Sequence, residues 1–467
     1  MSRRASLVFS FIVLLASFIV FGPYHDILNP DEVTVYFVSL VKWTPFLWGM
    51  DRQGMFLSFI TMPIHDPLWN MLIHDLLHTI TALSIFFLFP KYLFGNRWIG
   101  TGLLALLLFF SLNGLGDSKA FFTPWNMYGF SMGIGLLALN VIPRSLVVGF
   151  LLSLLSVWSN QAMAIFFSGI SLMKNLVDVD RPWRERKIQA AKDIGAMTVS
   201  FAMVDYLRHF YLTPGSGGYA FAKLPEICLG WLVSFGNQFH IPDSGPWIFT
   251  IPFGLLVVFL FISLILRKPV NRQARRMAFA AFSAGLGYTI LACATLHANW
   301  NRYPPRYLIP ALVVWVVIVS GLINESLPKM EKMRGRIAMA ALALAIFVTV
   351  GIRFGIPSMT NVRESIAGAI GKEAKDPIDL KCTHIVGEYY RVWNAAFYTW
   401  LTTDLRPFAV SERSDNAEDV WDIRKHPEAR VCLWKNDRNE AIRQFNVYHF
   451  PPLKQAGESE KMLVLSP

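Results

Sequence analysis

Asp31 and Glu32 follow Pro30 directly, and Asp51 and Arg52 follow in the same mixed stretch, FGPYHDILNPDEVTVYFVSLVKWTPFLWGMDRQGMFLSF. Further on, GLGDSKAFFTP carries Asp117 and Lys119, and MVDYLRHFYL carries Asp205, Arg208 and His209 at i, i+3 and i+4. HANWNRYPPRYLIP carries Arg302, Arg306 and Tyr307, with two prolines that hold the segment out of a helix. Carboxylates can accept a proton from a hydroxyl, and guanidinium groups offer forked donors that match phosphate oxygens. Together these types suit acid–base work beside a bound phosphate.

The elements that must position them are apolar. Of 467 residues, 54% are hydrophobic and 16% charged, and the mean hydropathy is +0.41. That balance lies outside the soluble range and predicts a polytopic α-helical membrane protein. Apolar windows long enough to span a bilayer recur near 5–22, 70–90, 98–113, 125–141, 144–158, 160–175, 193–212, 248–266, 278–297, 307–323 and 337–354, about eleven in all. The first reads as an uncleaved anchor, since no small-residue cleavage site precedes Phe21.

Charge sets the orientation. With a cytoplasmic N-terminus, twenty basic residues fall in inner loops and six in outer ones. The net charge of +11 is therefore topological and does not call for a nucleic-acid partner. An odd span count places the C-terminal end outside, so the expected domains are a transmembrane domain over 1–354 and an exterior α/β domain over 355–467. A long exterior loop, 23–69, holds Asp31, Glu32, Asp51 and Arg52; Val33–Val41 and Met55–Ile64 are apolar enough to lie along the bilayer surface.

The exterior tail alternates short strand-like runs (His384–Val386, Phe408–Val410, Val431–Trp434, Met462–Leu465) with helix-like stretches (Arg391–Thr402, Asp415–Arg424, Arg438–Phe445). Cys382 and Cys432 sit in or beside two of the strand runs and are expected to form a disulfide outside the cytoplasm; two separate buried thiols are the alternative. The stretch GEYYRVW, Gly387–Trp393, matches no assigned motif. No internal repeat, phosphate-cradling glycine loop, nucleophile elbow or HExxH occurs.

Each polar group also has a structural reading. Asp31 and Glu32 suit a helix start after Pro30, and Asp51 and Arg52 suit the orientation of a short helix. Asp205 and Arg208 could pair with each other, and Arg302 and Arg306 could anchor at lipid head groups. His65, Asp66, His74, Asp75 and His78 have a metal-like spacing without a clear third ligand, so no metal is assigned, with a divalent cation left open. What those readings leave unexplained is that acids and bases from four exterior loops gather on one side.

This pattern resembles the GT-C superfamily of polyprenyl-phosphate-dependent glycosyltransferases, in particular its protein mannosyltransferase and aminoarabinose transferase branch. The matching stretch is Pro30-Asp31-Glu32-Val33 in a long first exterior loop, followed by interfacial helices, many spans and an exterior C-terminal domain. The resemblance implies that Asp31 is the general base, with Glu32 beside it, and that exterior arginines hold the lipid phosphate. It implies inverting transfer of a hexosyl or pentosyl group to a glycolipid or polysaccharide at the outer face of a bacterial inner membrane, with the bilayer as the working environment. A second acidic pair is missing, and Asp117 alone stands in the next exterior loop. Two other readings compete: a surface-polysaccharide ligase or polymerase, and a secondary transporter, which would be expected to show repeats and midplane charges.

Overall fold

The computed structural model describes residues 30–48, 53–94, 98–112, 121–124, 127–178, 180–210, 272–293, 309–326, 370–371, 374–411 and 422–467. In chain order, up to residue 326, its described helices are α1 (Pro30–Leu40), α2 (Phe56–Thr61), α3 (Pro67–Phe94), α4 (Trp98–Leu112), α5 (Tyr128–Val141), α6 (Leu146–Ser159), α7 (Ala162–Val177), α8 (Trp183–His209), α9 (Arg272–Cys293) and α10 (Ile309–Ser326). The described residues are mostly helical, with one small sheet among them. Eight of the expected spans fall on α3 to α10; those near 5–22, 248–266 and 337–354 lie outside the described residues. Among the described residues only α3 is long and apolar enough to cross a bilayer by itself, while α4, α5, α6, α7 and α10 are apolar but shorter. The described helices therefore do not establish a count of eleven.

Two compact units divide the chain. One comprises Met1–Val20, His78–Leu207 and Gly217–Ile356; the other comprises Phe21–Leu77, Arg208–Ser216 and Pro357–Pro467. The stretch read as the first exterior loop thus groups with the C-terminal part of the chain, not with the other segments of 1–354.

In the first unit, small residues let helices approach closely. A Cβ at Gly133 of α5 would collide with the Thr81 carbonyl of α3, and one at Gly135 with the Phe167 ring of α7. Phenylalanines fill the space around α3 and α4: Phe86 meets Phe109 at 5.2 Å, Phe109 meets Phe121 at 5.4 Å, and Phe110 meets Phe122 at 5.4 Å. These rings are fully buried, which accounts for much of the helix association by dispersion and shape. The outward faces are also apolar. Leu146, Val147, Val148 and Leu151 on α6, Ile165, Leu172 and Leu176 on α7, and Phe279 and Ile290 on α9 are all exposed.

In the second unit a five-stranded sheet carries β1 (His384–Val386), β2 (Phe408–Val410), β3 (Val431–Trp434), β4 (Lys454–Glu458) and β5 (Met462–Ser466), in the order β2-β1-β3-β5-β4. β1 pairs parallel with β2 and β3, while β5 pairs antiparallel with β3 and β4. Three further helices belong here: α11 (Lys375–Asp379) precedes β1, while α12 (Tyr389–Thr402) connects β1 to β2 and α13 (Arg438–Val447) lies between β3 and β4. The stretch Asp415–Arg424, expected as a helix, lies mostly outside the described residues. Cys382 and Cys432 form a disulfide with Cα atoms 5.8 Å apart, next to the register pair Ile385 and Cys432. The bond fixes the approach to β1 against β3.

Candidate functional site

The helix α1 begins at Pro30, whose fixed φ suits a first helical position and whose missing N–H costs nothing there. Asp31 and Glu32 occupy its first turn, where the helix dipole favours carboxylates by about 0.3–1 kcal/mol each. The helix-start reading of this pair is therefore met in the structure. It does not account for where the Asp31 side chain goes.

Tyr389 donates its hydroxyl hydrogen to Asp31 Oδ1 at 2.5 Å. Thr34, one turn along α1, brings its Oγ1 to 3.4 Å from the same tyrosine oxygen. A phenol has one proton to give, so with that proton on Asp31 the Thr34 hydroxyl is the donor in the second bond. The result is a chain of hydrogen bonds, Thr34 to Tyr389 to Asp31, of the kind that polarises along its length. Asp31 is half-buried, and Tyr389 is buried with only 6% of its surface exposed.

The position of Tyr389 is itself strongly determined. β1 ends at Val386, and Gly387 follows at φ +154°, a conformation that glycine adopts without a Cβ penalty. Glu388 then caps α12, its side chain accepting from the Arg391 N–H at 3.1 Å. Arg391 Nη1 donates to Asp437 Oδ2 at 2.9 Å, and its guanidinium lies 5.1 Å from the Trp434 ring centroid. Farther along, Phe37 of α1 packs edge-on against Trp393 at 5.3 Å and Trp400 at 5.1 Å, and Tyr36 stacks on Phe397 at 5.5 Å. The two helices thus start at the same end and run together, with Asp31 and Tyr389 at the shared N-terminal end.

This packing corrects one expectation. Val33–Val41 does not lie along a bilayer surface, because Val33, Val35, Tyr36, Phe37 and Val38 are buried inside the protein. A largely apolar helix is as well suited to a protein interior as to lipid, and here the aromatic face of α12 packs on it. α2 behaves differently: Phe59, Ile60 and Met62 beside it are exposed, as is Trp69.

Behind α1, the Tyr36 hydroxyl donates to Asp75 Oδ1 at 2.7 Å, and the ring meets His74 edge-on at 5.7 Å. Burial raises the pKa of Tyr36 well above its ordinary value, and the charges of Asp75 and Glu32 push it the same way. His74 and Asp75, which looked metal-like by spacing, are packed here against Tyr36. Among the described residues no group of three or more His, Cys, Asp or Glu could hold a metal ion.

The remaining candidates divide simply. At the end of α8, where the spacing i, i+3 and i+4 holds on the helix, Asp205 is half-buried, Arg208 buried and His209 exposed. Asp51, Arg52, Asp117, Lys119, Arg302, Arg306 and Tyr307 lie outside the described residues. Tyr389, Thr34 and Tyr36 were not singled out from the sequence. The only signal for Tyr389 was the unassigned GEYYRVW stretch, in which Tyr389 is buried and Tyr390 exposed.

No family model matches the chain, and no curated protein does. Among solved structures, the chain is similar to the crystal structure of ArnT from Cupriavidus metallidurans in the apo state. That similarity covers 98% of this chain and 97% of the other at 12% identity, with a TM-score of 0.39, a level that does not by itself establish a shared fold.

Proposed function

We propose that this chain is a polytopic membrane glycosyltransferase of GT-C type, moving a sugar from a polyprenyl-phosphate donor to an acceptor hydroxyl on a cell-surface glycolipid or polysaccharide. The observation that carries this reading is the half-buried Asp31 carboxylate, held by Tyr389 in the first turn of a packed helix. Asp31 takes the proton of the acceptor hydroxyl as that oxygen attacks the anomeric carbon. A new carbon–oxygen bond forms, the bond from the anomeric carbon to the phosphate oxygen breaks, and its electron pair leaves with the polyprenyl phosphate. Attack from the opposite face inverts the anomeric centre. Arg302 and Arg306 are assigned to the charge on the departing phosphate, with Arg52, Lys119 and Arg208 as further cations of the exterior set. Glu32, Asp51, Asp117, Asp205, His209 and Tyr307 are the other polar residues assigned to substrate.

The exposed apolar side chains of α6, α7 and α9 support a bilayer around the first unit, since large apolar residues exposed in such number mark lipid or partner contact. The exposed Phe59, Ile60, Met62 and Trp69 support contact of α2 and its surroundings with the lipid interface. The test is deletion of the chain in its host, followed by mass spectrometry of surface glycolipids and of polyprenyl-phosphate lipids. Loss of one sugar unit from the surface with accumulation of its lipid-linked donor is expected. An unchanged profile of both would overturn the proposal.

A further inference from the structure

We infer that Tyr389 is a positioning residue for Asp31, so that the C-terminal part of the chain belongs to the transfer machinery and is not a separable accessory. The inference rests on the glycosyltransferase reading and adds a residue to its site. Four observations carry it. The tyrosine hydroxyl donates directly to Asp31 Oδ1. The same oxygen lies within reach of Thr34, one turn along from Asp31, so the tyrosine proton is directed at the carboxylate. Tyr389 is buried and sits at the first position of α12, which Gly387, the Glu388 cap and the Arg391–Asp437 pair fix in place. The rings of Trp393, Phe397 and Trp400 then lock α12 onto α1 through Phe37.

A base must face its substrate proton in one rotamer, and a flexible carboxylate at the start of a helix has several. The tyrosine restricts this choice by occupying one carboxylate oxygen. Its aromatic body is anchored in the core, so the restriction is built into the fold before substrate arrives. The proton stays on Tyr389 throughout, and the acceptor proton goes to Asp31.

The experiment uses the full-length protein added to membranes of the deletion strain, which supply both the accumulated lipid donor and the acceptor, with product followed by mass spectrometry. Tyr389→Phe keeps the ring and removes the bond to a charged partner. Turnover is expected to fall about 10- to 100-fold while the half-saturating amount of donor membrane stays unchanged. Thr34→Val is expected to cost a few-fold by itself and nothing further in the Tyr389→Phe background, because its hydroxyl acts through the tyrosine. Equal fold-losses from Thr34→Val in both backgrounds, or wild-type turnover in Tyr389→Phe, would overturn the inference. Should Tyr389→Phe protein fail to fold, Thr34→Val and Asp31→Asn are compared the same way, and independent, multiplying losses overturn it. Failure of the underlying reading has a different signature: Asp31→Asn would itself transfer normally, whereas an inactive Asp31→Asn beside an unaffected Tyr389→Phe removes the positioning role alone.

Discussion

Phe37 meets the Trp400 ring edge-on at 5.1 Å, joining a helix near the start of the chain to one near its end. The same phenylalanine also touches Trp393 and Phe397, and it is 1% exposed. Phe37→Ala should therefore cost about 3–5 kcal/mol in stability of the second unit, with some of the loss from the aromatic pairs themselves. Phe59→Ala, at a ring 50% exposed, should cost far less in the same detergent-denaturation assay. Equal losses at the two sites would contradict the packing described for α1.

The Cys382–Cys432 disulfide closes a loop with a sequence separation of 50, for which chain entropy gives about 4 kcal/mol of stabilisation. Paired Cys382→Ser and Cys432→Ser substitutions should lower the melting temperature of the protein, and non-reducing peptide mapping of host-purified material should recover the two cysteines in one linked peptide. Both thiols free in that material would contradict the bond.

The charge asymmetry of the loops predicts that the residues beyond the last expected span face outward. Alkaline phosphatase fused after residue 360 should be active in a bacterial host. A silent fusion beside an active cytoplasmic reporter at the same site would reverse the orientation, and Asp31 with it.

Much of the secondary structure was legible because periodicity and run length report it directly. The apolar windows marked α3 to α10, and short apolar runs marked β1, β2, β3 and β5. β4 was not legible: its KQAGE sequence is polar, largely exposed and interrupted by a bulge at Gln455/Gly457, as a sheet edge can be. α1 was read as interfacial because the apolar run after its first turn carries no mark of whether lipid or protein covers it. The covering partner, α12, lies hundreds of residues away. The site divided along the same line: Asp31 stood out by local context, whereas its link to Tyr389 spans 358 positions and leaves no trace in either local sequence.

The central claim is that Asp31 is the base that takes the acceptor proton. Asp31→Asn keeps the shape of the side chain, its suitability near a helix start and an oxygen for the Tyr389 hydroxyl, but removes the negative charge. The decisive measurement is sugar transfer by purified Asp31→Asn protein on membranes of the deletion strain, with donor-lipid binding measured in parallel. Turnover should fall by about 10²- to 10⁴-fold with donor binding largely kept, whereas Arg302→Ala or Arg306→Ala should weaken both. Near-normal transfer by well-folded Asp31→Asn protein would contradict the account and leave the residue as a helix-start carboxylate.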